Sequence, residues 1–256
     1  MQETCVVTSN ESLAPAIAKI TLASPHIAAT AKPGQFIHLR LPELIEHMLR
    51  RPFGVYRADR QRGEIELVVQ AVGAGTRRLM DAKPGDALDA IGPLGCGWQP
   101  DPSAREVLLV GGGIGAVPLY LLAEDTVKTA NVQVVLGAQS ASTLVFQKDF
   151  EELLGADKVF VCTDDGSAGF FGFTTELACQ LIDSTTFDYL ATCGPHVMQS
   201  RIAQLALEAG ITCEVSLEER MACGIGACLS CVVDTIHGKK RVCVDGPVFR
   251  ADEVIW

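Results

Sequence analysis

The sequence predicts a multidomain β plus α/β protein. It comprises an N-terminal antiparallel β-barrel, a doubly wound parallel-sheet domain and a small cysteine-rich C-terminal domain. Three observations carry this reading. Up to about residue 100, short runs of β-branched or alternating residues are broken by turn signals. Beyond residue 100, strand-like runs alternate with helical ones, the pattern of a parallel sheet covered by helices. Four of the ten cysteines gather after residue 220. A chain of 256 residues has room for two domains and an appendage.

In the first segment the strand candidates are Thr4–Val7, Ala18–Leu22, Gln35–Leu41, Gly54–Arg57 and Ile65–Ala71. Lys32-Pro33-Gly34, Arg62-Gly63 and Lys83-Pro84-Gly85-Asp86 punctuate them, and Asp86–Pro93 repeats the strand-entry pattern. Strands this short and this closely spaced favour a closed barrel or a sandwich. Two stretches suit a ligand. Arg51 beside Pro52 offers a fixed bidentate donor for phosphate oxygens, although such an arginine also serves as a solvated surface group. The strand Val68-Val69-Gln70 runs on to Gly73-Ala74-Gly75-Thr76, whose bare amides and hydroxyl could cradle a pyrophosphate or simply form a tight turn.

Gln99-Pro100-Asp101-Pro102-Ser103 marks a boundary. Val107 to Ala123 is uncharged but contains four glycines and Pro118, and falls short of a membrane-spanning length. It reads as a buried strand, the turn Gly111-Gly112-Gly113-Ile114-Gly115 and a helix from Ala116 to Glu124. That unit suits a dinucleotide phosphate at a helix N-terminus, though it departs from the strict Gly-x-Gly-x-x-Gly spacing, and glycine used only for close packing is the alternative. Strands are then expected at Val132–Gly137, Lys158–Thr163, Tyr189–Thr192 and Thr212–Leu217. Helices are expected at Phe146–Leu154, Thr174–Leu181 and Val197–Ala209. Asp164-Asp165 and Cys193-Gly194-Pro195 follow strand ends and should share a rim with the glycine turn. Carboxylates there can bind ribose hydroxyls and disfavour a 2′-phosphate, or merely cap the next helix.

The most specific stretch is Cys223-Gly-Ile-Gly-Ala-Cys228-Leu-Ser-Cys231, closed by Cys243. C-x4-C-x2-C with a distant fourth cysteine is the plant-type spacing for a 2Fe–2S cluster. Gly224 and Gly226 leave room for the backbone to wrap an inorganic core. Structural zinc sites usually pair two short C-x2–4-C units, and only one is present. Disulfides would suit an exported chain, but Met-Gln-Glu-Thr-Cys starts no signal peptide, so a reducing cytoplasm is the default. The other six cysteines have apolar or small neighbours and read as buried thiols. A net charge of −10 argues against nucleic acid as a partner.

With its segments placed, the chain resembles the electron-transfer subunits of bacterial class 1B dihydroorotate dehydrogenase, in the ferredoxin-reductase superfamily. The likeness spans essentially the whole chain. It is most specific at Glu218–Cys228 and at Cys243–Phe249. It implies an FAD-binding barrel over 1–100, an NAD-binding domain over 101–212 and a 2Fe–2S domain over 213–256. FAD is then expected at Arg51, Pro52, Phe53 and Gly54, at Val68, Val69 and Gln70, and at Gly75 and Thr76. Gly54 stands where the family usually has serine, and Val69-Gln70 where it usually has Tyr-Arg. NAD is expected at Gly111, Gly112, Gly113, Gly115 and Asp164, with Cys193 near the nicotinamide. Cys223, Cys228, Cys231 and Cys243 are the expected iron ligands, and no side chain is assigned a catalytic role.

The resemblance also implies a relay in pyrimidine biosynthesis. Dihydroorotate is oxidised on an FMN-containing partner subunit, and electrons pass through the cluster to FAD and on to NAD+. Two copies of each subunit would form a heterotetramer in the cytoplasm. Pro247-Val248-Phe249 is a candidate docking surface for the partner. Two alternatives change the role. The subunit could serve an NAD(P)H-dependent ferredoxin, sulfide or hydrogenase-type reductase, or the chain could be an iron–sulfur sensor that has lost flavin.

Overall fold

The computed structural model describes residues 1–41 and 49–256. The first segment folds as one seven-stranded antiparallel sheet. Its strands are β1 (Gln2–Ala14), β2 (Ile17–Ala23), β3 (Phe36–Arg40), β4 (Arg51–Gly54), β5 (Arg57–Asp59), β6 (Glu64–Gln70) and β7 (Ala87–Leu94). They pair in the order β4-β3-β7-β1-β2-β6-β5. Two short helices, α1 (Pro25–Thr30) and α2 (Ala74–Met80), fill the connections. Inward-facing residues alternate along the strands: Ile20 and Leu22, Ile37 and Leu39, and Ile65, Leu67 and Val69 meet in one core.

The expected closed barrel is corrected here. No ladder joins β4 to β5 among the described residues. Single bonds bring the two ends together instead: Val55 N donates to the Gln35 carbonyl and Tyr56 N to the Glu66 carbonyl. Two consecutive residues thus reach opposite edges of the sheet. The expected strand Gly54–Arg57 is this crossing: Gly54 ends β4, Val55 and Tyr56 turn from one edge to the other, and Arg57 begins β5.

The second sheet runs β11-β10-β9-β8-β12-β13-β16. Its strands are β8 (Glu106–Gly112), β9 (Asn131–Ala138), β10 (Val159–Thr163), β11 (Phe170–Phe171), β12 (Tyr189–Cys193), β13 (Thr212–Ser216) and β16 (Val248–Arg250). All are parallel to their neighbours except β16, which is antiparallel to β13. Helices α3 (Val117–Thr126), α4 (Gln147–Leu154), α5 (Thr174–Ser184) and α6 (His196–Glu208) connect them. The uncharged run from Val107 resolves into β8, a 3-10 turn over Gly113–Ala116 and the buried helix α3. None of the described helices is long and apolar enough to cross a membrane.

A hairpin of β14 (Val232–Thr235) and β15 (Gly238–Arg241) carries the cysteine-rich segment. This segment is stitched to both larger units. It supplies β16 to the parallel sheet, and Cys96 N donates to Gly246 O at 2.6 Å. Phe249 is only 6% exposed, and its ring occupies the space a Cβ on Gly246 would need. Val248 is equally buried. The Pro247–Phe249 docking surface is therefore corrected: Pro247 is buried, and Val248 and Phe249 belong to the sheet's last strand.

Candidate functional site

In the parallel sheet the order β10-β9-β8-β12-β13 reverses direction between β8 and β12. A crevice for a ligand opens beyond the carboxyl ends of strands at such a switch point. The two loops that leave β8 and β12 interlock there. A Cβ on Gly115 would lie 2.5 Å from Cys193 O, and one on Gly112 would lie 2.6 Å from Met198 Sδ and 3.0 Å from Pro195 Cδ. Gly111 is likewise pressed against Ala116. Gly113 is different: its φ is +56° and nothing lies within 4 Å of where its Cβ would be. Three glycines of the turn thus serve packing, and one presents bare backbone.

That backbone lines a cleft of about 1150 Å³. Gly112 and Gly115 share its floor, Asp164 and Gln139 line it from the ends of β10 and β9, and Arg201 lines it from α6. Ile17 and Gln70 close it from the barrel, and Val232–Asp234 and Val254 from the cysteine-rich lobe. The two carboxylates at the end of β10 are not equivalent. Asp165 accepts from Ser167 N at 2.9 Å and from Ser167 Oγ, and these bonds hold its carboxyl below the usual range. Asp164, by contrast, faces the cleft. Cys193 lies beneath the rim, 2% exposed, and burial pushes its thiol far up, so it packs as a neutral group.

A second group of predicted residues meets on the barrel. A Cβ on Gly75 would lie 2.6 Å from Arg51 Nε, so the Arg51 guanidinium lies across the start of α2. Arg51 also donates to Leu49 O. Beside it, Arg50 pairs with Asp89. Thr76 Oγ1 accepts from Val72 N and Gly73 N, both at 3.0 Å, so this hydroxyl caps its own helix. Pro52 and Phe53 lie opposite His38 and Ile37 of β3. Val68 packs toward the parallel sheet, Val69 is turned into the barrel interior, and Gln70 is exposed at the cleft.

The third group is the cysteine loop. Cys228 faces Cys223, and Cys243 faces Cys231. Ser230 braces the loop: its Oγ accepts from Ala222 N at 3.2 Å, donates to Arg220 O and lies 3.3 Å from Cys228 Sγ. These Ser230 bonds bring the exposed Cys228 thiol down to about 6, whereas burial pushes Cys243 up to about 11. Ile225 N and Gly226 N point at Cys223 Sγ and Cys243 Sγ, at 3.5 and 3.2 Å. Gly224 and Gly226 have φ of +70° and +81°, the left-handed region where only glycine is unstrained.

Comparison with known proteins gives the family. Residues 4–97 match the oxidoreductase FAD-binding domain, and residues 218–255 match the iron-sulfur cluster binding domain of dihydroorotate dehydrogenase B. The dihydroorotate dehydrogenase B (NAD(+)) electron transfer subunit of Desulforamulus reducens is 39% identical over 91% of this chain and 90% of its own. The same subunit from a Geobacillus species is 36% identical over 99% of this chain and 98% of its own. The chain belongs to this family. In the structure of an NADH-dependent reduced ferredoxin-NADP oxidoreductase, one chain superposes with a TM-score of 0.89 at 34% identity, covering 98% of this chain and 90% of that one.

The residues fit the cofactors of a dihydroorotate dehydrogenase B electron transfer subunit. Among the described residues no three His, Cys, Asp or Glu side chains converge on one metal ion. The thiols stand instead in two pairs, as two irons with two terminal thiolates each require. All ten cysteines are free thiols, and the amides beside Cys223 and Cys243 are the donors a thiolate cluster needs. The departures from the family pattern also have places. A Cβ at Gly54 would lie 3.3 Å from Val117 Cγ1, a tight contact, so the hydroxyl lost there is lost at a crowded domain contact. Val69 fills the barrel core and offers a cofactor only its backbone.

Sequence reasoning missed Trp256, which packs edge-on to His196 at the cleft rim with ring centroids 5.2 Å apart, and the cleft-lining Val232–Asp234. Neither carries a local motif. Tertiary approach alone brings them to the cleft.

Proposed function

We propose that this chain receives electrons released when dihydroorotate is oxidised on an FMN-containing partner subunit and delivers them to NAD+. The observation that carries the reading is the cleft at which barrel, parallel sheet and cysteine lobe meet. Bound FAD exchanges hydride with nicotinamide and single electrons with an iron–sulfur cluster, which is the chemistry the cofactors supply.

The chain's own residues do the placing. Gly113 and its neighbours offer backbone to the dinucleotide pyrophosphate, and Asp164 offers its carboxylate to a ribose hydroxyl while repelling a 2′-phosphate. Arg51, lying across the first turn of α2, is the cation for the FAD phosphates. Cys223 with Cys228, and Cys231 with Cys243, hold the two irons. Cys228 is exposed, and the exposed Ile225 and Leu229 flank it, so electrons enter at this edge of the lobe. The partner docks over it, two copies of each subunit assembling in the cytoplasm. Residues 1–100, 101–212 and 213–256 divide the work among flavin, nicotinamide and cluster.

A ferredoxin-linked reductase is the second reading, favoured by the likeness to the NADH-dependent ferredoxin-NADP oxidoreductase chain. The test is anaerobic purification with flavin and iron assays, followed by NADH titration. About one FAD and two irons per chain, with flavin and then cluster bleaching, is expected. Adding the FMN subunit and dihydroorotate should then produce NADH. No complex with that subunit would transfer the reading to the ferredoxin-linked role, and iron without flavin would overturn both.

A further inference from the structure

We propose that His38 is the positioning residue that seats the cluster loop against the flavin-binding strand, an inference that rests on the cofactor reading above. His38 sits in the middle of β3 and is fully buried. Neither Nδ1 nor Nε2 has a hydrogen-bond partner among the described residues. A polar ring in a dry interior is costly when unpartnered, and a leucine would fill the same space at no such cost. An imidazole retained there is explained by what surrounds it.

Two redox segments far apart in the chain converge on this ring. On one side is the flavin strand: His38 pairs in register with Pro52, and its carbonyl accepts from Arg50 Nη1 at 3.4 Å. On the other side is the cluster loop: a Cβ on Gly224 would lie 2.4 Å from His38 Nδ1. Gly224 is therefore bare because the imidazole occupies its side-chain space. The backbone of Cys223 and that of Arg50 both lie near enough to act on the ring. His38 thus touches the residue after one iron ligand and the residues leading into the Arg51-Pro52 segment. Fixing that contact fixes the distance between the cluster loop and the flavin strand. Nδ1, beside Gly224, stands on the Cys223 side of the loop, and hydrogen bonds around a thiolate cluster tune its electronic state.

The test uses the full chain loaded with FAD and iron, as wild type, His38→Leu and His38→Asn. Two readouts are taken: the electron paramagnetic resonance spectrum of the dithionite-reduced cluster, and stopped-flow traces that separate flavin reduction by NADH from cluster reduction. In the leucine variant we expect normal FAD and iron content and flavin reduction by NADH within about twofold of wild type. Its resonance line shape should change, and cluster reduction should slow about tenfold or more. Asparagine, which keeps an N–H, should restore part of the line shape and rate. An unchanged spectrum and rate in the leucine variant would overturn the assignment. So would slowing of the NADH step as large as that of the cluster step, since His38 would then act on the flavin site alone. If the leucine variant does not fold, Gly224→Ala presses on Nδ1 from the loop side and is read the same way. Dithionite reduces the cluster directly, so a wild-type chain whose cluster NADH cannot reduce would sink the relay reading, and the line shape would still decide the role of His38.

Discussion

Gly113 and Gly115 stand two residues apart in the turn after β8, yet a methyl group at each would do opposite things. At Gly115 it would meet the Cys193 carbonyl at 2.5 Å, backbone against backbone, where neither loop can yield without separating the two rims. Gly115→Ala should cost about 1–3 kcal/mol by overpacking and lower the melting temperature. At Gly113 the methyl would enter open cleft, and the cost to the fold is the left-handed backbone alone, about 1–2 kcal/mol. Gly113→Ala should therefore remain folded with FAD bound while the NADH concentration needed for half-maximal flavin reduction rises several-fold. Thermal melts beside NADH titrations check both. A Gly113→Ala variant that keeps wild-type NADH dependence would mean the pyrophosphate does not approach this backbone. The glycine run itself was legible in the sequence. Its division of labour was not, because that depends on which loop packs against which position.

At the level of elements, the barrel and the parallel sheet are joined by a polar contact whose four side chains come from three places in the chain. Tyr56, entering β5, donates from its hydroxyl to Asp149 Oδ2 of α4 at 2.6 Å. Arg57 donates from Nη2 to Tyr120 Oη of α3 at 2.9 Å, lies 3.3 Å from Asp149 Oδ2 and sits 4.3 Å from the Tyr120 ring centroid. Burial and the Asp149 bond push the Tyr56 hydroxyl far up, so it stays a donor. Burial opposes the Arg57 charge, but Tyr120 and Asp149 outweigh it. This contact spans the barrel and the parallel-sheet domain. Asp149→Asn removes the carboxylate that two groups share and should cost about 1–3 kcal/mol, whereas Tyr56→Phe removes one hydrogen bond and should cost about 1 kcal/mol. The asparagine variant should slow hydride transfer from NADH while leaving FAD content unchanged, which stopped-flow traces at saturating NADH would read. Equal rates in the two proteins would show that apolar packing around Tyr56, Phe146 and Val117 holds the angle without it.

The same scale shows what sequence pattern can and cannot report. Strand–helix alternation places β8, β9, β10, β12 and β13 and α3 to α6 to within about three residues, because each is a local periodicity that burial reinforces. The Gly-x-Gly-Thr stretch reads as a turn and proves to start α2, since Thr76 reaches back to cap its own backbone. Two-residue β11 and three-residue β16 have too few positions to show any period. The latch of Tyr56, Arg57, Tyr120 and Asp149 leaves no local trace at all, as no two of its interdomain partners are near in sequence.

For the whole molecule, the decisive question is whether the cysteine lobe is an appended module, as a boundary at residue 213 would have it, or a part of the other two units. Its strand β16 pairs with β13 through Val215 and Phe249, and Ala251 N donates to Cys213 O at 2.9 Å. Leu217 N donates to Pro247 O, Cys96 pairs with Gly246 and Pro247, and His38 of the barrel fills the space beside Gly224. The apolar core under this contact is continuous: Phe36 of β3, Val215 of β13 and Val242, Cys243 and Phe249 of the lobe are buried in one cluster. A chain ended at Leu217 would bare the β13 edge and that face together, and an unpaired apolar edge strand invites association. Expression of residues 1–217 should therefore give little soluble flavoprotein, whereas replacing Cys228 by serine in the full chain should lose iron and keep a soluble protein whose FAD NADH still reduces. Flavin absorbance of the soluble fraction distinguishes the cases. A soluble, NADH-reducible 1–217 fragment would mean the lobe is a detachable carrier, and electron entry would then tolerate movement between cluster and flavin. Loss of the fragment beside survival of the serine variant would mean that the lobe's backbone is part of the flavoprotein's core and its iron is not.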